Sequence, residues 1–286
     1  MRPQGAARTG PAVGGSSRTR GGELVDARSA LFDLYGDHLR GRADEFRGQV
    51  PVAALVRLLA PLGVQAPAVR TAVSRMVRQG WLVAVRLQSG PGYALTPRAV
   101  RRLDEAAERI YRTSHQSWDG AWHLLVVAPP ASRSDRERLH AQLQFLGYGA
   151  IGGATWISPR PAPELDATLA DAAARAERFT AAHDGDSQAL IARAWDLDGL
   201  ARAYTRFLDE ASQLMSEVDS STDEGAFAAR SRLVHDWRKF LFVDPGLPAA
   251  LLPPDWPGAK AAAWFDQEAD RLLPAARRFV DECLTA

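Results

Sequence analysis

The sequence predicts an α+β protein, and three observations carry that expectation. Residues 23–112 hold three stretches of helical apolar spacing, then two short runs that alternate like strands. Residues 113–197 mix strand-like and helix-like stretches, whereas 198–286 read as helices separated by proline clusters. At 286 residues and 46% hydrophobic, the chain can build a substantial core, on length alone about two domains.

Residues 1–22 are rich in Gly, Pro, Ser and Arg without an apolar period, and they read as a disordered basic tail. Helical spacing begins at Leu24 and runs to Leu39, with Leu31, Leu34, Tyr35 and Leu39 on one face and Gly41 as the stop. A second helix spans Val52 to Leu59, and Pro61 and Gly63 break it into a tight turn. The third runs from Pro67 to Gln79, with Gly80 as its C-terminal stop. Val69, Val73, Met76 and Val77 share one of its faces, and Arg70, Thr71, Ser74, Arg75 and Arg78 occupy the other. Trp81 to Arg86 alternates as a strand, Gln88 to Gly92 turns, and Tyr93 to Leu95 returns. Thr96 then caps a helix from Pro97 to Tyr111. Helix, helix, tight turn, helix and hairpin is the layout of a winged helix-turn-helix, a module that puts its third helix into the DNA major groove.

Charge points the same way. The formal net charge of +1 hides +4 in residues 1–22, +5 in 23–112 and −8 in 113–286. From Phe46 to Leu103 there are nine arginines and no Asp or Glu. Clearing carboxylates from one module suits a partner made of phosphates. Arginines serve guanine edges and phosphates, and small hydroxyls permit close approach, so Arg70, Thr71, Ser74, Arg75, Arg78 and, on the wing, Arg86 are the candidate DNA contacts. Acids on that helix face would instead have favoured a module that binds only proteins.

Further along, His123–Val127 reads as a buried strand, Ser132–Leu146 as a helix and Ala154–Ser158 as a strand. Asp166–Ala182 reads as a helix on the spacing of Leu169, Ala173 and Ala176, and Gln188–Trp195 as a final strand. This order suggests a ferredoxin-like middle domain. Helices are expected over about 198–218, 224–242 and 259–284. The expected division is a tail at 1–22, a winged helix-turn-helix at 23–112, a ferredoxin-like domain at 113–197 and an all-helical C-terminal domain at 198–286 for dimerisation and effector binding.

Other chemistries find little support. The single cysteine, Cys283, excludes an internal disulfide and a cysteine-based zinc site, which fits a reducing cytoplasm. No apolar run approaches the length of about 18 residues needed to span a membrane, and no secretory signal opens the chain. The six histidines are scattered with no i, i+4 pair. Gly147-Tyr-Gly149-Ala-Ile-Gly152 matches the letter of a dinucleotide loop, but a helix precedes it and a strand follows, the reverse of what that site needs. In the C-terminal region His235, Arg238, Lys239 and Phe242 fall along one helical face with Trp237 beside them. A cationic and aromatic face of this kind suits an acyl-CoA, although a helix simply packed on its neighbours would look the same.

Several separated motifs resemble the PaaX-like family of repressors of phenylacetic acid catabolism. They are Ser29-Ala-Leu-Phe-Asp-Leu-Tyr-Gly-Asp37, Leu58-Leu-Ala-Pro-Leu-Gly63, Val69 through Trp81, Trp118-Asp-Gly-Ala-Trp122, Leu146-Gly-Tyr-Gly149 and Trp156-Ile-Ser-Pro159. Asp244-Pro-Gly-Leu-Pro248 and Leu251-Leu-Pro-Pro-Asp-Trp-Pro-Gly258 follow in order. The resemblance implies a cytoplasmic homodimer that binds double-stranded operator DNA and releases it on binding an aryl-acyl-CoA such as phenylacetyl-CoA, with no catalytic residue, cofactor or metal. It also implies a middle domain similar to the small nuclease subunit of CRISPR adaptation, which makes a metal-dependent nuclease the alternative function. That nuclease uses an acid just after the first strand. Here Ala128-Pro129-Pro130 stands in its place.

Overall fold

The computed structural model describes residues 26–40, 48–110, 118–128 and 130–285. The basic tail, the expected stop at Gly41 and Pro129 therefore lie outside the described residues. Helix α1 (Ala27–Asp33) starts where the Asp26 carboxylate accepts the Arg28 and Ser29 N–H groups, and it continues into a π-helical stretch, Leu34–Leu39. Strand β1 (Gln49–Pro51), α2 (Val52–Leu59) and a 3₁₀ turn (Ala60–Leu62) lead to α3 (Ala66–Arg78). Strands β2 (Leu82–Leu87) and β3 (Gly90–Leu95) form an antiparallel hairpin, β1 pairs with β3 on its far side, and α4 (Pro97–Ile110) follows.

The second sheet is antiparallel in the order β5-β6-β4-β7, built from β4 (Trp122–Ala128), β5 (Gly149–Gly152), β6 (Thr155–Ser158) and β7 (Arg175–Ala181). Helices α5 (Arg133–Phe145) and α6 (Leu165–Asp171) cover one face through Leu139, Leu143, Leu165 and Leu169, which pack on Leu125, Val127 and Trp156. Helix α7 (Ser187–Ala194) lies on the other with Leu190 and Ile191 against Trp122 and Ile157. The chain ends in α8 (Leu197–Glu217), α9 (Asp223–Arg238) with a 3₁₀ extension (Lys239–Phe242), and α10 (Pro257–Thr285).

Two expected elements change type. The helix expected over Asp166–Ala182 stops after six residues, because Ala173 takes a left-handed conformation (φ 49°) and turns the chain into β7. Alanine favours helix locally, but seven residue pairs with β4 outweigh that weak propensity. The strand expected over Gln188–Trp195 is α7, whose first turn is capped by Asp186 accepting from Gln188 N at 2.9 Å. Strand β5 pairs with β6 across a bulge at Ala150–Gly152. Gly147 sits just before it at φ +87°, and a Cβ there would stand 2.8 Å from the Pro245 carbonyl, so the loop at 244–248 can rest directly on the middle sheet.

The N-terminal elements share a core with the C-terminal helices. Leu31, Leu34, Leu55, Leu58 and Val73 belong to one buried cluster with Phe227, Ala276, Val280 and Cys283. Arg57 of α2 donates to the Cys283 carbonyl at 2.5 Å. Buried charge crosses the same boundary. Asp33, 4% exposed, accepts from His235 Nδ1 at 2.7 Å and from the Arg238 guanidinium. Asp37 accepts from Arg230, itself 4% exposed, whose Nε also donates to Ala269 O of α10 at 3.1 Å. His38 Nε2 meets Ser231 Oγ at 3.0 Å.

Removing one member of such a pair leaves a buried charge, whereas replacing both with apolar groups is often neutral. Asp37→Ala is therefore expected to cost about 3–5 kcal/mol in urea unfolding. The double replacement Asp37→Leu with Arg230→Met should recover most of that loss. Equal midpoints for wild type and Asp37→Ala would contradict this account.

Candidate nucleic-acid interface

Helix α3 buries Val69, Ala72, Val73 and Met76, and that seat fixes which residues face outward. Arg70, Thr71, Ser74, Arg75 and Arg78 are all exposed, as the 3.6-residue period requires. Among the described residues, Arg70, Arg75, Arg78 and Arg86 make no ion pair or hydrogen bond, so their guanidiniums are available to a ligand. The Thr71 hydroxyl donates to Pro67 O at 2.9 Å and keeps its lone pairs for an outside donor. Beside the first turn of α3 lies a groove of about 300 Å³ lined by Asp26, Arg28, Pro67, Thr71 and Arg75 among others. Asp26 brings a carboxylate to that groove, a neighbour that the acid-free window in the sequence does not contain.

The far end of α3 is locked in place. Gly80 is left-handed at φ +72°, its N–H meets Val77 O at 3.0 Å, and Trp81 N–H meets Met76 O at 2.9 Å, which closes the helix as a Schellman turn. Trp81 stands edge-on to Phe32 of α1 at 4.7 Å. The Thr96 hydroxyl donates to Gly80 O at 2.8 Å and accepts from Ala99 N at 3.2 Å, tying the end of α3 to the start of α4. The β2–β3 hairpin projects Arg86 opposite Pro91, next to a two-residue turn at Gln88-Ser89.

The nine arginines from Phe46 to Leu103 divide by role. Arg47 lies outside the described residues, and Arg57 is spent on the Cys283 carbonyl. Arg70, Arg75, Arg78 and Arg86 form the exposed set described above, while Arg98, Arg101 and Arg102 line a cleft against α5 and α6. The four residues suggested for an effector do not share one surface. Trp237 is 5% exposed, stacks on Phe265 and donates to Ile110 O at 3.1 Å. His235 and Arg238 engage Asp33, and exposed Lys239 pairs with Asp236 at 2.7 Å. The acids that receive those cations, Asp33 and Asp37, were not singled out from sequence. Their signal is two carboxylates four apart inside the apolar run Leu31-Phe-Asp-Leu-Tyr-Gly-Asp37.

His123 Nδ1 lies 2.6 Å from Tyr148 Oη. Burial, with Arg178 nearby, holds the imidazole below its usual pKa, and burial pushes the phenol up to about 12. Both groups are neutral at pH 7, as a packed hydrogen bond requires. The C-terminal end of β4 carries Ala128, paired with Arg175, and offers no carboxylate there.

Comparison with known proteins gives a consistent picture. The chain matches the family models described as PaaX-like protein over residues 26–99, PaaX protein central Cas2-like domain over 115–190, and PaaX-like protein C-terminal domain over 195–282. It is 30% identical over 270 residues to the transcriptional repressor PaaX of Escherichia coli (strain K12), covering 90% of this chain and 84% of that protein. It also resembles the solved structure of uncharacterized protein Rv0674 from Mycobacterium tuberculosis, with TM-score 0.62 and 26% identity over 91% of this chain and all of the other.

Losing the Thr96 hydroxyl removes a helix cap and the tie to Gly80 together. Thr96→Ala should cost about 1 kcal/mol and raise amide exchange at Gly80 and Trp81 more than at Leu58. Unchanged exchange at those two amides would mean that the tie does not hold the end of α3.

Proposed function

The chain belongs to the PaaX-like family, and from that premise we propose that it is a DNA-binding transcriptional repressor of a catabolic operon for aromatic or other carboxylic acids. Residues 23–112 act as a winged helix-turn-helix, 113–197 as a ferredoxin-like domain and 198–286 as a helical domain for dimerisation and effector binding, behind the basic tail at 1–22. The observation that carries the reading is the outer face of α3: three arginines, two hydroxyl residues and no acid, followed at once by a hairpin bearing Arg86. The βαββαβ order and the sheet order β5-β6-β4-β7 support the ferredoxin-like assignment.

One winged helix covers a few base pairs. A cytoplasmic homodimer would set two α3 helices on half-sites one helical turn apart, about 34–36 Å, or a multiple of it. In this arrangement Arg70, Thr71, Ser74 and Arg75 reach base edges or nearby phosphates, and Arg78 and Arg86 grip the backbone. The helical region carrying His235, Trp237, Arg238 and Lys239 acts on the DNA-binding module through Asp33, and an aryl-acyl-CoA such as phenylacetyl-CoA relieves repression.

Two experiments test the reading. In gel shifts on a promoter fragment selected by the protein, Arg75→Ala should remove about 1–3 kcal/mol of specific binding, and adding Arg70→Ala should leave only salt-sensitive, sequence-independent binding. Wild-type affinity in the double variant, with its circular dichroism intact, would refute the assignment of α3. Phenylacetyl-CoA titrated into the preformed complex should free the DNA where phenylacetate does not. Failure of every aryl and alkyl thioester at millimolar concentration would refute a thioester effector.

A further inference from the structure

We propose that Asp26 reads a base: its carboxylate takes the exocyclic amino group of a cytosine in the major groove, on the flank of the base pairs met by α3. This rests on the DNA-binding reading above and adds to it a contact from α1, outside α3 and the wing. The groove of about 300 Å³ beside the first turn of α3 is where the two helices meet. Thr71 and Arg75 form its α3 side, and Asp26 and Arg28 form its α1 side. Between them lie Ala68 and Ala72, small enough to let a base edge approach. Asp26 is held at a fixed distance from α3, because α1 packs on that helix and Phe32 meets Trp81 just past its end.

Asp26 caps α1 with one oxygen. Its Oδ2 accepts the Arg28 and Ser29 N–H groups, both at 3.2 Å, and among the described residues no hydrogen bond or ion pair reaches Oδ1. Asn, Ser or Thr would serve the same cap without charge. A carboxylate on a surface that meets phosphates repels them, so it works against binding unless it finds a donor. In the major groove guanine shows two acceptors, thymine one acceptor, and adenine a donor beside an acceptor. Cytosine shows an amino donor with no acceptor next to it. Its edge alone meets a carboxylate without an opposing lone pair. The flanking phosphates find partners as well. The Arg28 guanidinium is held over the Phe32 ring, 5.5 Å from its centroid, and Arg75 stands across the groove.

A randomised duplex library bound by the full chain, with the bound fraction sequenced, gives the base preference at every position. Wild type should prefer cytosine at one position beside the bases set by α3. Asp26→Ser keeps a good helix cap and should reduce discrimination at that position by about 5-fold or more. Asp26→Asn, whose amide pairs with adenine, should move the preference from cytosine towards adenine. Both variants should bind unrelated DNA more tightly than wild type, because a negative charge has left the interface. Their melting curves should match wild type, since the exposed cap is preserved. A wild-type preference profile reproduced unchanged by both variants would overturn the role of Asp26 and leave α3 standing as the reading helix. Absence of any base preference in wild type would overturn both readings.

Discussion

The buried carboxylates Asp33 and Asp37 set the constraint on which the rest of the molecule depends. Each is 4% exposed, and each is neutralised by a cation from α9, on the other side of the chain's main division. Buried ion pairs add little net stability over an apolar substitute, but a register that left any of these charges unpaired would cost several kcal/mol. They therefore act as a key for docking more than as glue. The π-helical stretch Leu34–Leu39 belongs to this key: it presents Asp37 and His38 to α9 while Leu34, Tyr35 and Leu39 stay in the core. Wide helical turns of this kind are rare and cluster where a fold is bent to a purpose.

What the key fixes is the seat of α3. Helix α1 contacts both α3 and α9, and Phe32 meets Trp81 immediately past the end of α3. The outward arginines of α3 are thus positioned by a chain of contacts that begins at Arg230 and Arg238. The N-terminal elements do not form an independent body with its own closed core, since Phe227, Val280 and Cys283 complete it.

Legibility in the sequence followed the range of the interactions involved. Helix α2 carries its own punctuation, with Pro51 before it and Pro61 and Gly63 after, and its expected bounds match those observed. Helix α3 and the hairpin were legible for the same reason. The segment from 172 to 182 reads as helix because its alanines favour that state locally, while β7 exists only through its pairing with β4, a partner fifty residues away. The capping signal of α7 was present in Asp186-Ser-Gln-Ala and was outweighed by its apolar run. The exposed arginines could be named because an amphipathic period assigns faces without knowledge of the neighbours. The cationic cluster of α9 could be seen but not interpreted, because its partner acids are some two hundred positions earlier.

The same geometry decides where the molecule can yield. The joint between α1 and α9 is buried, ionic and continuous with the hydrophobic core, so opening it would expose charges and apolar surface together. The boundary between α4 and the middle domain is a cleft instead, with exposed arginines on one side and a half-exposed helix pair on the other. Helix α4 meets the end of α3 through Thr96, which donates to Gly80 O, and through Arg98 over Trp81.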